Sequence, residues 1–332
     1  MATTRAPSGH VVHRSGRLRH SQGCPLSFPR VALFTALFVA LAAGCSRGDE
    51  RVPARSAGAP RLPDGGSFID DFGERVSLAP AARIASLNPT TTEIFFTIGA
   101  GPHLVGRDSY DEWPAAATLL PDLGPGISPN VEQILSARPD LVVLYASNEN
   151  RAAANALRAA GIRVAGLKID RIADFHRDAL ILGALAGDTA AARVTVDSVE
   201  RTLAGIRAAT ASLPHPRVLW YLWDNPVLVL GNGSYQSELL AIAGGANVYA
   251  DRAAPAAQVS LEDVLRRDPE VIFVDAGKSA LLRDSPRWQS VAAVRAGRLF
   301  EIDDALLNRP GVTLGMAARS LARALHPGWA GP

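Results

Sequence analysis

Two stretches 130 residues apart carry one pattern, and this constrains the fold more than any other feature of the chain. Residues 130–145 read N-V-E-Q-I-L-S-A-R-P-D-L-V-V-L-Y, and residues 260–275 read S-L-E-D-V-L-R-R-D-P-E-V-I-F-V-D. Glu, Leu and Pro recur at matching places: Glu132 with Glu262, Leu135 with Leu265, Pro139 with Pro269. Asn130 and Ser260 are good N-cap residues, and an acid follows each in the first turn. Neither proline can continue a helix, so both helices stop there. The apolar runs 141–144 and 271–274 that follow suit parallel strands buried on both faces. Each copy therefore predicts a short helix leading into a buried strand.

The flanks extend the match. A strand (84–87), a polar loop and T-E-I-F-F-T-I-G-A-G from Thr92 precede the first copy. A strand (218–222), a polar loop and S-E-L-L-A-I-A-G-G from Ser237 precede the second. Both flanks predict a capped helix ended by glycines. The same element order twice implies two similar lobes, and chains of that build usually bind a ligand in the cleft between them.

The first lobe has apolar runs at 84–87, 103–105, 141–145 and 162–167, and the second at 218–223, 227–230, 271–274 and 299–302. Strand and helix alternate throughout, which predicts α/β sandwich lobes with largely parallel sheets. Between them, Asp188 can cap a helix from Thr189 to about Ser212, where Leu213-Pro214 ends it. Val196, Val199, Leu203 and Ile206 form one apolar stripe along it. Such a helix spans about 36 Å at 1.5 Å per residue and predicts a stiff link with little hinge bending. The expected layout is a leader over 1–44, a tether over 45–66, a first lobe over 67–170, connecting helices over 171–215 and a second lobe over 216–332.

The first 44 residues hold five arginines and no acid, followed by the apolar stretch 31–43 and then Ala42-Ala43-Gly44-Cys45. A basic start, a short apolar core and a small-residue site predict an export signal, and the stretch is short for a membrane span. Cysteine after Ala-Ala-Gly resembles a bacterial lipobox, which implies cleavage before Cys45 and lipid attachment to its sulfur. A plain secretory signal and an uncleaved anchor are the alternatives, and the long basic lead-in leaves the start codon open. Cleavage removes Cys24, so no disulfide framework is expected. It also removes five positive charges and no negative ones, taking the net charge from +2 to −3. The basicity of the whole chain is therefore no argument for nucleic acid as a partner. Residues 46–66, rich in Arg, Gly, Ala, Pro and Ser, suit a flexible tether that lifts the folded part off a membrane.

A lipoprotein-type leader, two repeated α/β lobes and one long connecting helix together resemble the substrate-binding proteins of ABC importers. The closest group is the helical-backbone class (class III periplasmic-binding-protein-like) that carries cobalamin, ferric siderophores and haem. The phrases that carry the resemblance are Ser86-Leu87-Asn88-Pro89-Thr90-Thr91-Thr92-Glu93, Tyr110-Asp111-Glu112-Trp113-Pro114, Asn130-Val131-Glu132, Arg138-Pro139-Asp140-Leu141-Val142, Gly244-Gly245-Ala246-Asn247 and Val259-Ser260-Leu261-Glu262. In this family the glutamate at the start of each repeated helix meets arginines of the permease, and Glu132 and Glu262 occupy those positions. Two acids on separate lobes suit a two-fold permease, steering docking more than tightening it. The resemblance implies a monomer, lipid-anchored outside the cytoplasm, that serves a permease dimer and its ATPase. It carries no intrinsic cofactor and takes a metal chelate as its ligand: cobalamin or another corrinoid, with a ferric siderophore or haem as the alternative.

Polar and aromatic residues just after strands are the ligand-site candidates: Asn88, Tyr110, Trp113, Trp223, Asp224, Tyr235, Asn308 and Arg309. Aromatics offer a flat macrocycle broad contact with little entropy loss, and Arg309 suits a carboxylate, phosphate or catecholate oxygen. Trp220 lies within an apolar run and is expected in the core. One departure stands out. The cobalamin binder of the family has tryptophans some six residues before each docking glutamate, where this chain has Gly126 and Ala256.

Other classes have thinner support. His103, His176, His215 and His326 are widely spread, so direct metal ligation by the protein is not expected. No Gly-x-Ser-x-Gly elbow, His-Glu-x-x-His or P-loop occurs, so no catalytic residue is expected. Gly231-Asn232-Gly233-Ser234 follows a strand and precedes a helix, so it reads as an anion-binding turn or simply a cleft-lining one. A ligand-sensing lipoprotein without a transporter and an exported hydrolase are the remaining alternatives.

Overall fold

The computed structural model describes residues 66–303 and 309–331. A small antiparallel hairpin, β1 (Ser67–Ile69) with β2 (Arg75–Ser77), leads into the first lobe. There β3 (Ile84–Leu87), α1 (Pro89–Thr97), β4 (Leu104–Gly106), α2 (Val131–Ser136), β5 (Leu141–Tyr145), α3 (Arg151–Ala159) and β6 (Arg163–Leu167) follow in order. The four strands β3–β6 lie in the order β4-β3-β5-β6 and are all parallel. α1 begins nearly one turn before the expected Thr92, because Asn88 caps it by accepting from the Thr90 amide (2.9 Å) and Pro89 occupies its first turn.

The connector is a helix pair. α4 (Ile172–Ala186) ends at Gly187, and Asp188 caps α5 (Thr189–Thr210) by accepting from the Ala191 amide. The expected stripe of Val196, Val199, Leu203 and Ile206 is buried. Gly183 lets the two helices meet closely, since a Cβ there would lie 2.4 Å from the Ala192 Cβ. At 22 residues, α5 runs for about 33 Å.

The second lobe runs β7 (Arg217–Trp223), β8 (Val227–Leu230), α6 (Tyr235–Ile242), β9 (Ala246–Asn247), β10 (Ala256–Val259), α7 (Leu261–Arg267), β11 (Val271–Asp275), α8 (Ser279–Arg283), α9 (Ala292–Arg295), β12 (Leu299–Ile302) and α10 (Leu314–Leu325). Its sheet has the order β10-β8-β7-β11-β12, with β9 also on β7. β9, β7, β11 and β12 pair in parallel, but β8 and β10 are antiparallel, so this sheet is mixed where the sequence predicts a largely parallel one. The reason is local. Only residues 224–226 separate β7 from β8, and so short a link can form a hairpin but not a parallel crossover.

The repeated phrase is built twice in the same way. Asn130 Oδ1 accepts from the Gln133 amide (3.1 Å) and Ser260 Oγ from the Asp263 amide (3.2 Å). Just before each proline the chain turns left-handed at Arg138 (φ 49°) and Asp268 (φ 45°), the two non-glycine residues with positive φ among the described residues. An arginine leading into the lobe's first strand holds each turn: Arg83 Nε donates to the Arg138 carbonyl (2.8 Å), and Arg217 Nε to the Asp268 carbonyl (3.0 Å). The acid after each proline closes the loop, Asp140 accepting from the Ala82 and Arg83 amides and Glu270 from the Arg217 amide.

The lobes are joined by more than one covalent helix. A single apolar core runs from Ile84 and Leu141 through Leu182, Val196, Leu203 and Ile206 to Val218, Trp220 and Phe273. Polar ties then cross between the lobes in a reciprocal pattern. Glu93 on α1 accepts from Arg309 Nη1 (2.8 Å), and Glu238 on α6 accepts from Arg171 Nε (2.6 Å). Glu93 and Glu238 hold the same place in the two flanks of the repeat, Thr-Glu and Ser-Glu. The Glu238 carboxylate also takes the Ile172 amide (2.9 Å), and the Tyr235 amide donates to the Asp170 carbonyl (3.1 Å). Glu93 is 3% exposed. Its desolvation outweighs the pull of Arg309, with the Asp111 charge adding a further push, so its pKa is raised to about 7.

Two outcomes follow from this arrangement. Leu203→Ala removes a side chain from the shared core and should cost about 2–5 kcal/mol. Urea unfolding should show one cooperative transition moved as a whole; an unmoved second transition would mean that the lobes fold independently. For Glu93, the folded form keeps its proton up to about pH 7, whereas the ordinary value is 4.5. Stability therefore falls as pH rises between those values. Asp111 and Asp178, each raised by burial to about 7, act in the same direction. Glu93→Gln should reduce the loss of stability between pH 5 and pH 8, and an equal loss in variant and wild type would contradict the assignment.

Candidate functional site

A cavity of about 870 Å³ opens between the lobes and is lined from both. That lies near the top of the roughly 300–1,000 Å³ range of small-molecule sites. The N-terminal ends of α1 and α6 face it from opposite sides, bringing Asn88, Pro89 and Thr90 against Ser234, Tyr235 and Gln236. This pairing is the internal repeat made spatial. Arg309 and Pro310, and Pro255 from the segment before β10, complete the wall on the second lobe.

The first-lobe wall depends on one buried carboxylate. Asp108 Oδ1 accepts from the Tyr110 amide (2.8 Å) and Oδ2 from the Gly126 amide (2.9 Å), so it staples two loops together. Burial pushes its pKa up, against the pull of those amides. The Asn150 side-chain amide donates to the Gly126 carbonyl (2.7 Å), fixing the second loop from below. Tyr110 and Ile127 thereby stand out into the cleft, 58% and 70% exposed. Asp111 faces inward, its Oδ2 accepting from the Thr92 hydroxyl (2.8 Å) and the Asp108 amide (3.2 Å).

Gly126 is one of the two positions at which the resemblance drawn from sequence leads one to expect a tryptophan. A Cβ there would lie 2.1 Å from the Leu87 carbonyl oxygen and 2.4 Å from Asp108 Oδ2, so this backbone admits no side chain. Ile127 supplies the apolar surface beside it. Ala256, the other such position, opens β10 and does not line the cavity.

Four of the candidate ligand residues meet in the cavity: Asn88, Tyr110, Tyr235 and Arg309. Tyr235 is only 6% exposed, so it offers the cleft little surface. Arg309 is engaged by Glu93. Trp113 and Trp223 are exposed but outside the lining, and Trp223 donates to the Asn225 carbonyl (3.2 Å). Asp224 also lies outside it, accepting from Trp288 Nε1 (2.7 Å) and standing 3.6 Å from Arg287. Asn308 and Cys45 fall outside the described residues. Trp220 sits in the core, edge-on to Phe273. Glu132 and Glu262 are exposed at the starts of α2 and α7. The Glu262 amide and the Ser260 hydroxyl hold the Glu262 carboxyl below its usual range.

The turn at Gly231–Ser234 is not free to cradle an anion. The amides of Gly231, Asn232 and Gly233 donate to the carbonyls of Pro255, Arg252 and Ala254. Gly233 and Ser234 line the cleft instead.

Several lining residues are absent from the candidates drawn from sequence: Glu112, Tyr145, Lys168 and Asp170. Tyr145 ends β5, and Lys168 and Asp170 follow β6, so the rule that sites gather beyond the carboxyl ends of parallel strands points to all three. They form one group: Tyr145 donates to Asp170 Oδ1 (2.7 Å), and Lys168 Nζ lies 3.4 Å from Asp170 Oδ2. Burial and the bond to Asp170 push the Tyr145 hydroxyl pKa up. Among the described residues no three His, Cys, Asp or Glu side chains are placed to hold a metal ion, and no helix is long and apolar enough to cross a membrane.

Comparison with known proteins gives a consistent picture. A vitamin B12-binding protein of Vibrio cholerae is 30% identical over 233 residues, covering 70% of this chain and 84% of that protein. The crystal structure of the periplasmic vitamin B12 binding protein BtuF of Vibrio cholerae superposes with a TM-score of 0.64 at 27% identity, over 74% of this chain and 97% of that one. The periplasmic heme-binding protein RhuT of Roseiflexus sp. RS-1 superposes with a TM-score of 0.66 at 26% identity, over 74% and 97%. The family model described as periplasmic binding protein matches residues 84–306, which hold both sheets, the connecting helices and nearly all of the cleft lining. The chain belongs to the periplasmic binding protein family, with the two-lobed, helix-connected build of its class III members.

Proposed function

We propose that this chain is the extracytoplasmic substrate-binding subunit of an ABC importer and that it captures cobalamin or another corrinoid between its lobes. The observation that carries this reading is the cleft itself. Tyr110, Ile127 and Pro89 on one side face Tyr235, Pro255 and Pro310 on the other, with amide and hydroxyl groups of Asn88, Ser234 and Gln236 between them. Apolar and aromatic walls with a few polar groups suit a large, amide-fringed macrocycle. The vitamin B12-binding names of the relatives point to the same ligand class, and the heme-binding name of a structural neighbour keeps haem as the second reading. Residues Asn88, Tyr110, Tyr235 and Arg309 are the proposed ligand contacts, with Trp113 and Trp223 outside the cavity.

In this reading Glu132 and Glu262 meet basic residues of the permease. Their exposure and their equivalent places on the two lobes support the role. Cys45 carries the lipid, and residues 46–66 tether the lobes to the membrane. The ligand is released when the permease separates the lobes slightly.

Titration with cyanocobalamin, haemin and a ferric siderophore, followed by tryptophan fluorescence, tests the ligand. Tight binding of cyanocobalamin is expected, and no response to any of the three would remove the chelate reading. Reversing charge at both Glu132 and Glu262 should abolish uptake and leave ligand affinity unchanged. Loss of affinity would instead place these residues in the ligand site.

A further inference from the structure

The charges that line the cleft are unevenly spent. Its two cations are both paired: Lys168 Nζ lies 3.4 Å from Asp170, and Arg309 Nη1 lies 2.8 Å from the buried Glu93. Asp108 is buried and spent on the Tyr110 and Gly126 amides. Glu112 differs from all of these. It is exposed, lines the cavity two residues from Tyr110, and makes no hydrogen bond or ion pair with any described residue. The cleft thus holds no uncommitted cation among its described lining and one uncommitted carboxylate.

We infer that Glu112 is a specificity-determining residue that excludes multiply anionic chelates from the cleft. The inference rests on the reading of the chain as a chelate-binding protein and adds the charge class of the ligand. A ligand with several exposed anionic oxygens needs free arginines or lysines to replace its lost hydration. Here the available arginine and lysine would first have to leave Glu93 and Asp170. Such a ligand would also stand in the field of the Glu112 carboxylate. A chelate fringed with neutral amides meets neither cost, and its N–H groups can donate to Glu112. For a trianion about 8 Å from one carboxylate at the open mouth, the repulsion in water corresponds to a factor of roughly ten in affinity.

The test compares wild type with Glu112→Gln, titrated with cyanocobalamin, haemin and a ferric tris-catecholate at low and at high salt. Wild type should bind cyanocobalamin well ahead of the two anionic chelates. Glu112→Gln should raise affinity for the ferric tris-catecholate roughly tenfold and for haemin by less, because repulsion scales with ligand charge. Cyanocobalamin affinity should change by less than about threefold, as expected for one exposed neutral-ligand hydrogen bond. The gain should shrink in 1 M salt, where the screening length falls to about 3 Å; a change of packing would not respond in this way. If wild type prefers cyanocobalamin but the variant discriminates equally, the assignment to Glu112 is overturned and the corrinoid reading stands. If wild type binds either anionic chelate as tightly as cyanocobalamin, or binds none of the three, both fall together.

Discussion

Two glutamates at equivalent places in an internal repeat reach across to arginines of the opposite side, and the cleft is built on that exchange. Glu93 of α1 takes Arg309, and Glu238 of α6 takes Arg171. Each arginine follows the last strand of its own lobe's sheet, β12 or β6. The two helices whose N-terminal ends face the ligand cavity are therefore the two that carry the ties. Behind them one apolar core runs through α4 and α5 into both sheets. Separating the lobes means breaking two arginine–carboxyl hydrogen bonds, one of them to a buried glutamate, and stripping apolar surface from α5. Removing one partner of a buried pair leaves a charge without compensation, a larger cost than the pair's own net contribution.

This construction shapes the form that recognition can take. A cleft held open by a shared core offers its walls already formed, so little conformational entropy is lost on capture. The walls must then be accurate on their own. The Asp108 staple serves that end, fixing Tyr110 and the Gly126–Ile127 turn with one buried carboxylate. Its position leaves no room for a side chain at 126, so the surface there is backbone, with Ile127 as the apolar contact.

Much of this was legible in the sequence because it is local. The N-caps at Asn130, Asp188 and Ser260, the prolines that end the repeated helices and the buried runs of the strands all act within a few residues. The α5 stripe was legible because its spacing is helical and all four of its members are buried. What escaped depends on partners distant in sequence. Arg83 and Arg217 look like surface charges until the left-handed turns at 138 and 268 are seen beneath them. Glu93 and Glu238 read as ordinary helix residues, because their arginines lie 216 and 67 positions away. Among the lining residues, Tyr145 ends β5 and Lys168 and Asp170 follow β6, as the positional rule expects, whereas Trp223 ends β7, Asp224 follows it, and neither reaches the cavity. The turn at 224–226 sends the chain back as β8, so that end of β7 becomes a hairpin tip closed by the bond from Trp288 to Asp224.

That hairpin also explains why the two lobes, alike in plan, present unlike walls. In the first lobe the chain passes from β3 straight into α1, and Asn88 stands at the junction. In the second it first makes β8, and only then does the Gly231–Ser234 turn lead into α6. The turn's amides are consumed by the 252–255 segment, which carries Pro255 into the cleft. The first wall thus offers an exposed tyrosine, an isoleucine and a free carboxylate, whereas the second offers prolines, a largely buried tyrosine and small polar groups. Under the proposed function, a corrinoid held between such walls would be oriented by their difference, with its polar fringe toward Glu112 and its flatter face toward the prolines. The repeat places the two helices opposite one another, and the departure from the repeat gives the cleft its two distinct sides.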